Sequence, residues 1–278
     1  MKEIFEVIDE SLDGLLVKEY LSRRGFSVTL IKRVKYGGIT VDDKTVTVRH
    51  RLKAGEEIKI ALPDGKNESI VPIDIPIIVL YEDEYFVAVS KPRNMPTHPS
   101  RGNSLPTLAN ALMAMYGEGF VFRAVNRLDR DTSGVVLIAK DAYTAAKMAE
   151  DMKSGRYEKT YHALVVGVPS EAHGVIDAPI ERESENSIKR CVRADGKRAI
   201  TEYLLVENRT DTSLLIVRPK TGRTHQIRVH LSYIGHPLVG DFLYGERSAD
   251  GYSLNCSEIK FPHPITREII SVKSPIEF

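Results

Sequence analysis

The chain has 278 residues, of which 42% are apolar, so it can form one large domain with its own core or a large domain and a small one. This composition argues against global disorder. The longest apolar run is the six residues 111–116, whereas a membrane-spanning helix needs roughly 20. The first ten residues carry four acidic side chains and no apolar signal segment, which predicts a protein of the cytosol.

Charge is distributed unevenly along the chain. The net charge is only +1, yet residues 12–53 contain ten Lys and Arg against four Asp and Glu. A basic segment of this kind can bind a polyanion even when the whole chain is nearly neutral. We therefore expect an RNA-binding surface here, with these candidate contacts: Arg23, Arg24, Lys32, Arg33 and Lys35.

The first 65 residues have the pattern of a small separate unit. Apolar residues recur at helical spacing from Leu12 to Leu21, where Gly25 can end the helix, and a second short helix is predicted over Thr29–Tyr36. From Ile39 to Ile60 apolar and polar residues alternate, as in short strands. The polar, proline-rich stretch that follows predicts an exposed linker over residues 66–75.

Residues 76–278 have mainly strand character. Helices are predicted over Leu108–Tyr116 and Ala142–Met152, and most of the predicted strands are joined by turns rather than by helices. That arrangement favours a mixed, mainly antiparallel sheet with peripheral helices over a doubly wound parallel sheet. The fold class predicted for the whole chain is α+β.

The segment VNRLDRDTSG, residues 125–134, holds a charged cluster between two apolar stretches. Three kinds of chemistry fit its carboxylates: a DxD pair on Mg²⁺, a glycosidase pair, or a single aspartate that acts at a sugar carbon. Residues 131–134 are typical of a turn that satisfies its own backbone. Asp129 is different, because it precedes a strand and would be partly buried, so its charge needs a partner.

The expected partner lies about a hundred residues further on, in TGRTHQIRVH. This segment predicts a helix that is capped by Thr221 or Thr224 and ended by Gly235. His225 and Arg228 would share one face of that helix. A guanidinium held on a helix suits a pair with a carboxylate, so we predict that Arg228 contacts Asp129. No set of residues has the spacing of metal ligands, and no metal is expected.

Three separated segments together resemble the signature motifs of the RluA-type pseudouridine synthases. They are RLDRDTSG (127–134), KTYHA (159–163) and TGRTHQIRVH (221–230), and the likeness extends over about residues 76–278. Residues 12–58 are similar to the S4 RNA-binding module, with Leu12-Asp13, a basic second helix, GITVD and LKAGEEI. The resemblance implies an S4-like module over residues 1–65 followed by a pseudouridine synthase domain over residues 76–278.

The resemblance also implies a reaction and a set of residues for it. Such enzymes isomerise uridine in RNA, breaking the bond from N1 of the base to C1′ of the ribose and joining C5 to C1′. Asp129 would be the essential carboxylate, acting either as nucleophile at C1′ or by removing a ribose proton. Arg228 would be its charged partner. Tyr161 would lie against the uracil and help to take the proton from C5. Arg127 would enter the RNA helix in place of the flipped nucleotide.

Further expectations concern the partners of the protein. Many members of the family have His where this chain has Asn126, so a catalytic imidazole is not expected there. The resemblance implies no cofactor and no metal. The expected substrate is structured RNA, with large-subunit ribosomal RNA first and transfer RNA second, and nothing in the sequence demands more than a monomer. The competing hypothesis is a non-catalytic RNA-binding protein on a retired enzyme fold.

Overall fold

The structure, a computed structural model, describes residues 3–62, 70–99, 106–246, 248, 251–276 and 278. Its N-terminal part combines two helices with a four-stranded antiparallel sheet whose strand order is β1-β4-β2-β3. The elements of this part are β1 (Glu3–Val7), α1 (Val17–Arg23), α2 (Val28–Val34), β2 (Ile39–Val41), β3 (Lys44–Thr45) and β4 (Glu57–Ala61).

Local sequence explains the boundaries of the two short helices. α1 is followed by Gly25, whose φ of +84° is the left-handed conformation predicted for a helix end. The hydroxyl of Ser27 accepts a hydrogen bond from the backbone N–H of Leu30 at 3.2 Å and so caps α2. β1 was not predicted, although the alternation in Glu3–Val7 is typical of a strand; it pairs with the central strand β4.

The predicted linker is described only in part, because residues 63–69 lie outside the described residues. The described part is not exposed throughout. Ile70 is buried and Ile75 is partly buried against the core of the large domain, and the side-chain amide of Asn110 donates to the carbonyl of Val71 at 2.7 Å. This segment therefore packs against the larger domain.

The larger part of the chain contains most of the strands. Its elements are β5 (Ile78–Glu82), β6 (Phe86–Lys91), α3 (Leu108–Tyr116), β7 (Ser133–Ala139), α4 (Ala142–Lys153), β8 (Glu158–Val166), β9 (His173–Asp177), β10 (Ile180–Arg182), β11 (Arg190–Val192), β12 (Ile200–Asn208), β13 (Thr212–Pro219), α5 (Gln226–Tyr233), β14 (Leu254–Pro262) and β15 (Ile269–Lys273). The helix predicted over Leu108–Tyr116 is confirmed at both ends, and the one predicted from Ala142 extends one residue further than expected.

Among the described residues, nine of these strands form one sheet, in the order β5-β6-β7-β14-β8-β13-β12-β9, with β15 also paired to β14. Its pairs are antiparallel except β7 with β14. The predicted mixed, mainly antiparallel sheet is thus confirmed. β10 and β11 stand apart as a separate hairpin. No described helix is both long and apolar enough to cross a membrane.

β7 lies near the middle of the large sheet, and each of its seven residues is buried. Gly134 in this strand has a φ of +110°, and a Cβ there would collide with the backbone carbonyl of Cys256 on β14. The predicted turn glycine is therefore a strand glycine, needed because the two backbones approach so closely. The loop that enters β7 is held on this rigid base.

The N-terminal part rests on helix α4. The rings of Phe26 and Tyr143 are 4.9 Å apart, and the Tyr143 hydroxyl donates a hydrogen bond to the backbone carbonyl of Arg24 at 2.9 Å. Gly25 lies close to the side chains of Lys147 and Glu150 on α4. The small N-terminal unit therefore packs against the larger domain at helix α4.

Candidate active site

Asp129 lies in the loop that enters β7, and its side chain is 36% exposed. Its backbone carbonyl accepts a hydrogen bond from the N–H of Thr132 at 3.2 Å, so the turn spans residues 129–132. The turn predicted over residues 131–134 begins two residues too late, because Ser133 and Gly134 already belong to β7. The turn leaves the carboxylate of Asp129 accessible while its backbone is fixed.

Asp131, the second carboxylate of the cluster, is paired with the neighbouring Arg130. Its two oxygens each accept a hydrogen bond of 2.8 Å from the Arg130 guanidinium, and its side chain is 5% exposed. A bidentate pair of this kind satisfies the charge of a buried carboxylate. Asp129 and Asp131 thus have different surroundings and do not form a symmetrical pair.

Arg228 projects from α5 and is 4% exposed. Its Nε and Nη2 donate to both oxygens of Asp241 at 2.7 and 2.8 Å, and its Nη1 lies 3.3 Å from Oδ2 of Asp129. Burial alone opposes the charge of Arg228, but the hydrogen bonds and charge of Asp241 outweigh it and raise the pKa of the guanidinium. The predicted contact with Asp129 is present, within a three-residue ion network.

Asp241 was not predicted as a site residue, although it is completely buried and anchors Arg228. In the sequence Asp241 is the last residue of the segment GHPLVGD (235–241), and no pattern in that segment indicates a buried carboxylate. Its Oδ1 also accepts hydrogen bonds from the backbone N–H groups of Leu243 and Tyr244, at 3.0 and 3.3 Å. The fixed loop after α5 therefore determines where the guanidinium lies.

The start of α5 differs from the prediction. The N-cap residue is His225 in a left-handed conformation with φ of 56°, and neither Thr221 nor Thr224 caps the helix. Instead, the Thr221 hydroxyl donates to Oε1 of Gln226 at 2.7 Å, which folds the TGRT loop back onto the helix. As a result, Nε2 of His225 lies 3.8 Å from Oδ2 of Asp129.

The tautomer of His225 follows from its neighbour Tyr244. The Tyr244 hydroxyl accepts the backbone N–H of Arg190 at 2.8 Å, so its own proton is available for Nδ1 of His225, also at 2.8 Å. We therefore assign the ring proton of His225 to Nε2, the nitrogen on the side of Asp129. Burial lowers the pKa of His225, so the ring is neutral at pH 7.

Tyr252 completes the surroundings of Asp129 and was missed by the sequence analysis, since it lies 123 positions away in a loop without a motif. Its hydroxyl lies 3.5 Å from Oδ2 of Asp129 and 3.1 Å from the hydroxyl of Thr132. Its ring lies 4.2 Å from the guanidinium of Arg228. Among the described residues, no side chain makes a hydrogen bond to Oδ1 of Asp129, so that oxygen is available to a substrate.

A cavity of about 430 Å³ opens beside Asp129 and is also lined by Arg127, Tyr161 and Arg228. Tyr161 lies on β8, opposite Cys256 of β14, and is 9% exposed. Burial raises the pKa of Tyr161 well above its usual value, so its phenol stays protonated at neutral pH. The structure thus brings together all four residues that were predicted for the catalytic domain.

Asn126 has a structural part in this site. It is 5% exposed; its amide donates to the carbonyl of Val135 at 3.1 Å, and its side-chain oxygen accepts the N–H of Leu137 at 2.8 Å. Both contacts join the Asp129 loop to β7. Asn126 also lines the cavity, but its donor and acceptor capacity is used to hold the loop.

The residues predicted to bind RNA differ in their exposure and in their ion pairing. Arg127 is exposed at the rim of the cavity and makes no ion pair with any described residue, while Arg23, Lys32 and Arg33 are exposed on the N-terminal helices. Arg24 is paired with Glu6 instead, which neutralises its charge. Lys35 is partly buried, and its Nζ lies 4.3 Å from the centre of the Tyr36 ring.

Comparison with known proteins agrees with this geometry. Residues 85–233 match the family described as RNA pseudouridylate synthase. An uncharacterized RNA pseudouridine synthase of Bacillus subtilis, YjbO, is 34% identical over 94% of this chain and 95% of its own. The ribosomal large subunit pseudouridine synthase D of Xanthomonas campestris is 32% identical over 98% of this chain and 91% of its own. Human RNA pseudouridylate synthase domain containing 1 is 28% identical, with a TM-score of 0.63, over 72% of this chain and 83% of its own.

The mixed sheet, with an aspartate loop entering a buried central strand, defines a protein of the pseudouridine synthase fold. The chain belongs to the RluA-type family of RNA pseudouridine synthases. It is accordingly an isomerase that acts on RNA. The alternative of a glycosidase or of a phosphatase with a DxD metal pair does not fit this family.

Proposed function

We propose that Asp129 is the carboxylate that acts on the ribose of the target uridine. The observation that carries this proposal is that Arg228, His225 and Tyr252 all approach one oxygen of Asp129, Oδ2. The other oxygen remains without a protein partner among the described residues. A carboxylate held by one oxygen is oriented, and its second oxygen is free for attack at C1′ or for removal of a ribose proton.

Either role requires a negatively charged carboxylate at Asp129, and the site holds a fixed cation beside it. Arg228 is fixed by Asp241 and keeps its positive charge despite burial. A permanent cation 3.3 Å from a carboxylate oxygen stabilises the negative charge of that carboxylate. Asp241 compensates the charge of Arg228 from the buried side, so that no unpaired ion is left in the interior.

The remaining two residues are proposed to act on the rest of the nucleotide. Tyr161 would lie against the uracil with its ring, since its buried phenol is protonated and is not prepared to accept a proton from C5. Arg127, exposed and unpaired among the described residues at the rim of the cavity, would occupy the position that the flipped nucleotide leaves in the RNA helix.

Residues 1–65 are proposed as an S4-like docking module and residues 76–278 as the catalytic domain. Exposed cations on the two N-terminal helices supply the phosphate contacts, namely Arg23, Lys32 and Arg33, with Lys35 beside them. Arg24 would contribute less than its neighbours, because Glu6 already compensates its charge.

The proposed target is large-subunit ribosomal RNA. Support comes from the relative of Xanthomonas campestris that is described as a ribosomal large subunit pseudouridine synthase and matches nearly the full length of this chain. A docking module with a basic segment, residues 12–53, in front of the catalytic domain also fits a large, structured RNA.

Mapping of pseudouridines tests this proposal directly. RNA from cells with and without the gene would be compared at each uridine of ribosomal and transfer RNA, with the gene for the Asp129→Asn variant reintroduced as a control. We expect one or a few pseudouridines of the large-subunit RNA to disappear and to return only with the wild-type gene. Loss confined to transfer RNA would contradict the proposed target.

A further inference from the structure

A second cavity, of about 550 Å³, adjoins the first on the other side of Asp129. Both cavities are lined by Arg127, Asp129, His225 and Arg228, so they meet at the reacting carboxylate. A volume of this size is within the usual range for binding a small organic ligand. An RNA strand whose target nucleotide enters the first cavity therefore has a neighbouring space for an adjacent nucleotide.

The lining of the second cavity is predominantly cationic. Five arginines line it, against two aspartates that are already paired, Asp129 with Arg228 and Asp131 with Arg130. The other three arginines are Arg127, Arg182 and Arg190. A surplus of arginine beside the reaction centre suits an anionic ligand such as an RNA phosphate.

Arg190 is a cation of this cavity that has a buried and unused hydrogen-bond donor. Its side chain is 19% exposed, its Nε is buried without a hydrogen-bond partner in the described part of the chain, and its Nη1 is 3.9 Å from the carboxylate of Glu181. Buried donors of this kind are normally satisfied. The exposed part of the Arg190 side chain lines the cavity, where its positive charge would attract a phosphate.

The position of Arg190 is fixed by the hairpin β10–β11. The backbone N–H of Arg190 donates to the Tyr244 hydroxyl, which in turn contacts His225 beside Asp129. Strand β11 also packs against α5, the helix that carries Arg228. The wall of the second cavity and the reaction centre are thus parts of one rigid arrangement.

An aromatic surface is also present in the second cavity. The side chain of Phe242 is apolar yet 44% exposed, and the guanidinium groups of Arg130 and Arg228 lie 5.9 and 5.8 Å from its ring centre. An exposed aromatic ring among cations is the combination on which single-stranded bases stack. Phe242 follows Asp241 directly, so its backbone is held by the anchor of Arg228.

We propose that the second cavity is a subsite for a nucleotide adjacent to the target uridine, whose base stacks on Phe242 and whose phosphate binds Arg190. The proposal rests on the proposed function, since it takes the first cavity as the place of the target. It adds recognition of an unpaired neighbouring nucleotide, which requires the RNA strand to be opened on one side of the target.

Binding of short RNA probes tests the subsite. The parent probe is the pentanucleotide AAUAA, whose single uridine sets the register, and two further probes carry an abasic residue directly before or directly after that uridine. Removal of a stacked base costs about 1–3 kcal/mol, so Phe242→Ala should weaken binding of the parent roughly 5- to 150-fold. One of the two abasic probes should bind the wild-type protein more weakly by a similar factor and should be weakened little further by Phe242→Ala.

Matched variants separate the two contacts of the subsite. Phe242→Tyr keeps an aromatic ring and should bind all probes like the wild type. Arg190→Gln should weaken the parent and abasic probes by the same factor, because it removes a phosphate contact. The control Lys189→Gln changes a partly exposed residue of the same hairpin that is paired with Glu183, and it should leave binding unchanged.

The proposal would be overturned if Phe242→Ala bound the parent probe as tightly as the wild type does. It would also be overturned if Phe242→Ala weakened the binding of both abasic probes by the same factor as that of the parent probe. Absence of any binding of the parent probe at millimolar concentration would also count against it. These measurements read binding and not turnover. The binding results can therefore contradict the subsite while Asp129→Asn still abolishes pseudouridine formation. They can also support the subsite if the target RNA is other than the proposed one.

Discussion

At the scale of single residues, the site depends on a buried guanidinium between two carboxylates of different exposure. Asp241 is fully buried and fixes Arg228, whereas Asp129 is partly exposed and able to meet a substrate. Asp129 and Arg228 were predicted from the sequence, because a charge before a buried strand needs a partner and a helix can supply one. Asp241 and Tyr252 were not, because only the folded loop after α5 brings them to the site.

Tyr252 offers a prediction at this scale. Tyr252→Phe removes the hydroxyl near Oδ2 of Asp129 but keeps the ring against Arg228, so the fold and KM should be unchanged. We expect kcat to fall roughly fivefold, the effect of about 1 kcal/mol for one hydrogen bond. Steady-state kinetics would show it, with Tyr233→Phe, a change at an exposed tyrosine, as the control. A fall in kcat/KM caused by KM alone would refute this positioning role.

At the scale of secondary-structure elements, the sequence predicted the helices better than the joints between elements. The composition and spacing of α3 and α4 gave their positions almost to the residue. The first half of α3 is buried on all sides, and α4 packs one face against β7. The start of α5 was predicted wrongly. Its position depends on a contact between Thr221 and Gln226 and on the strained conformation of His225, which no periodicity reports.

Because β7 and β14 approach so closely, one methyl group added at Gly134 should lower the stability of the fold strongly. Gly134→Ala combines an unfavourable φ with a clash against the backbone of Cys256, so we expect the free energy of unfolding to fall by about 3 kcal/mol or more. Gly119→Ala, at a φ of +86° with open space around it, should cost only about 1 kcal/mol. Urea unfolding measures both, and equal effects would contradict the steric argument.

Histidines in the large domain predict how stability depends on pH. Burial lowers the pKa of His162, His225 and His230 from the value of 6.5, so the unfolded chain binds protons before the folded one does. The free energy of unfolding should therefore be highest above pH 6.5 and fall below it, by at most about 1.4 kcal/mol per pH unit for each histidine.

Urea unfolding between pH 8 and pH 5.5 measures this dependence. His162→Gln should make the fall shallower, since the His162 ring is only half-buried and its replacement leaves the core intact. Stability that rises as the pH is lowered through this interval would show that the three rings are not buried in their neutral form.

At the scale of the whole molecule, a small N-terminal module with exposed cations on its two helices packs against helix α4 of the large domain. The sequence predicted both units from the change in hydrophobic period and from the charge asymmetry. It did not predict the contact between the N-terminal module and α4, because Phe26 and Tyr143 are far apart in the chain and each has the pattern of its own unit. The pairing of Arg24 with Glu6 was not foreseen either, because it joins the end of α1 to β1, a strand that was not predicted.

Docking of RNA on this module predicts a change in salt dependence. Lys32→Gln with Arg33→Gln removes two exposed cations, so the slope of log affinity against log salt concentration should decrease by about 1 for each phosphate that is no longer neutralised. Lys273→Gln, at a side chain that is 76% exposed on the catalytic domain, is the control. An unchanged slope in the double variant would place the docking surface elsewhere.

The role of Asp129 is tested most directly by the Asp129→Asn variant, with RNA from cells that lack the gene as substrate. The substitution keeps the size of the side chain and removes its charge, so pseudouridine formation should fall below detection. The affinity for the same RNA should stay within about twofold of the wild type, because the carboxylate itself contributes no attraction to phosphate. Formation of pseudouridine by Asp129→Asn at a rate near that of the wild type would contradict the account.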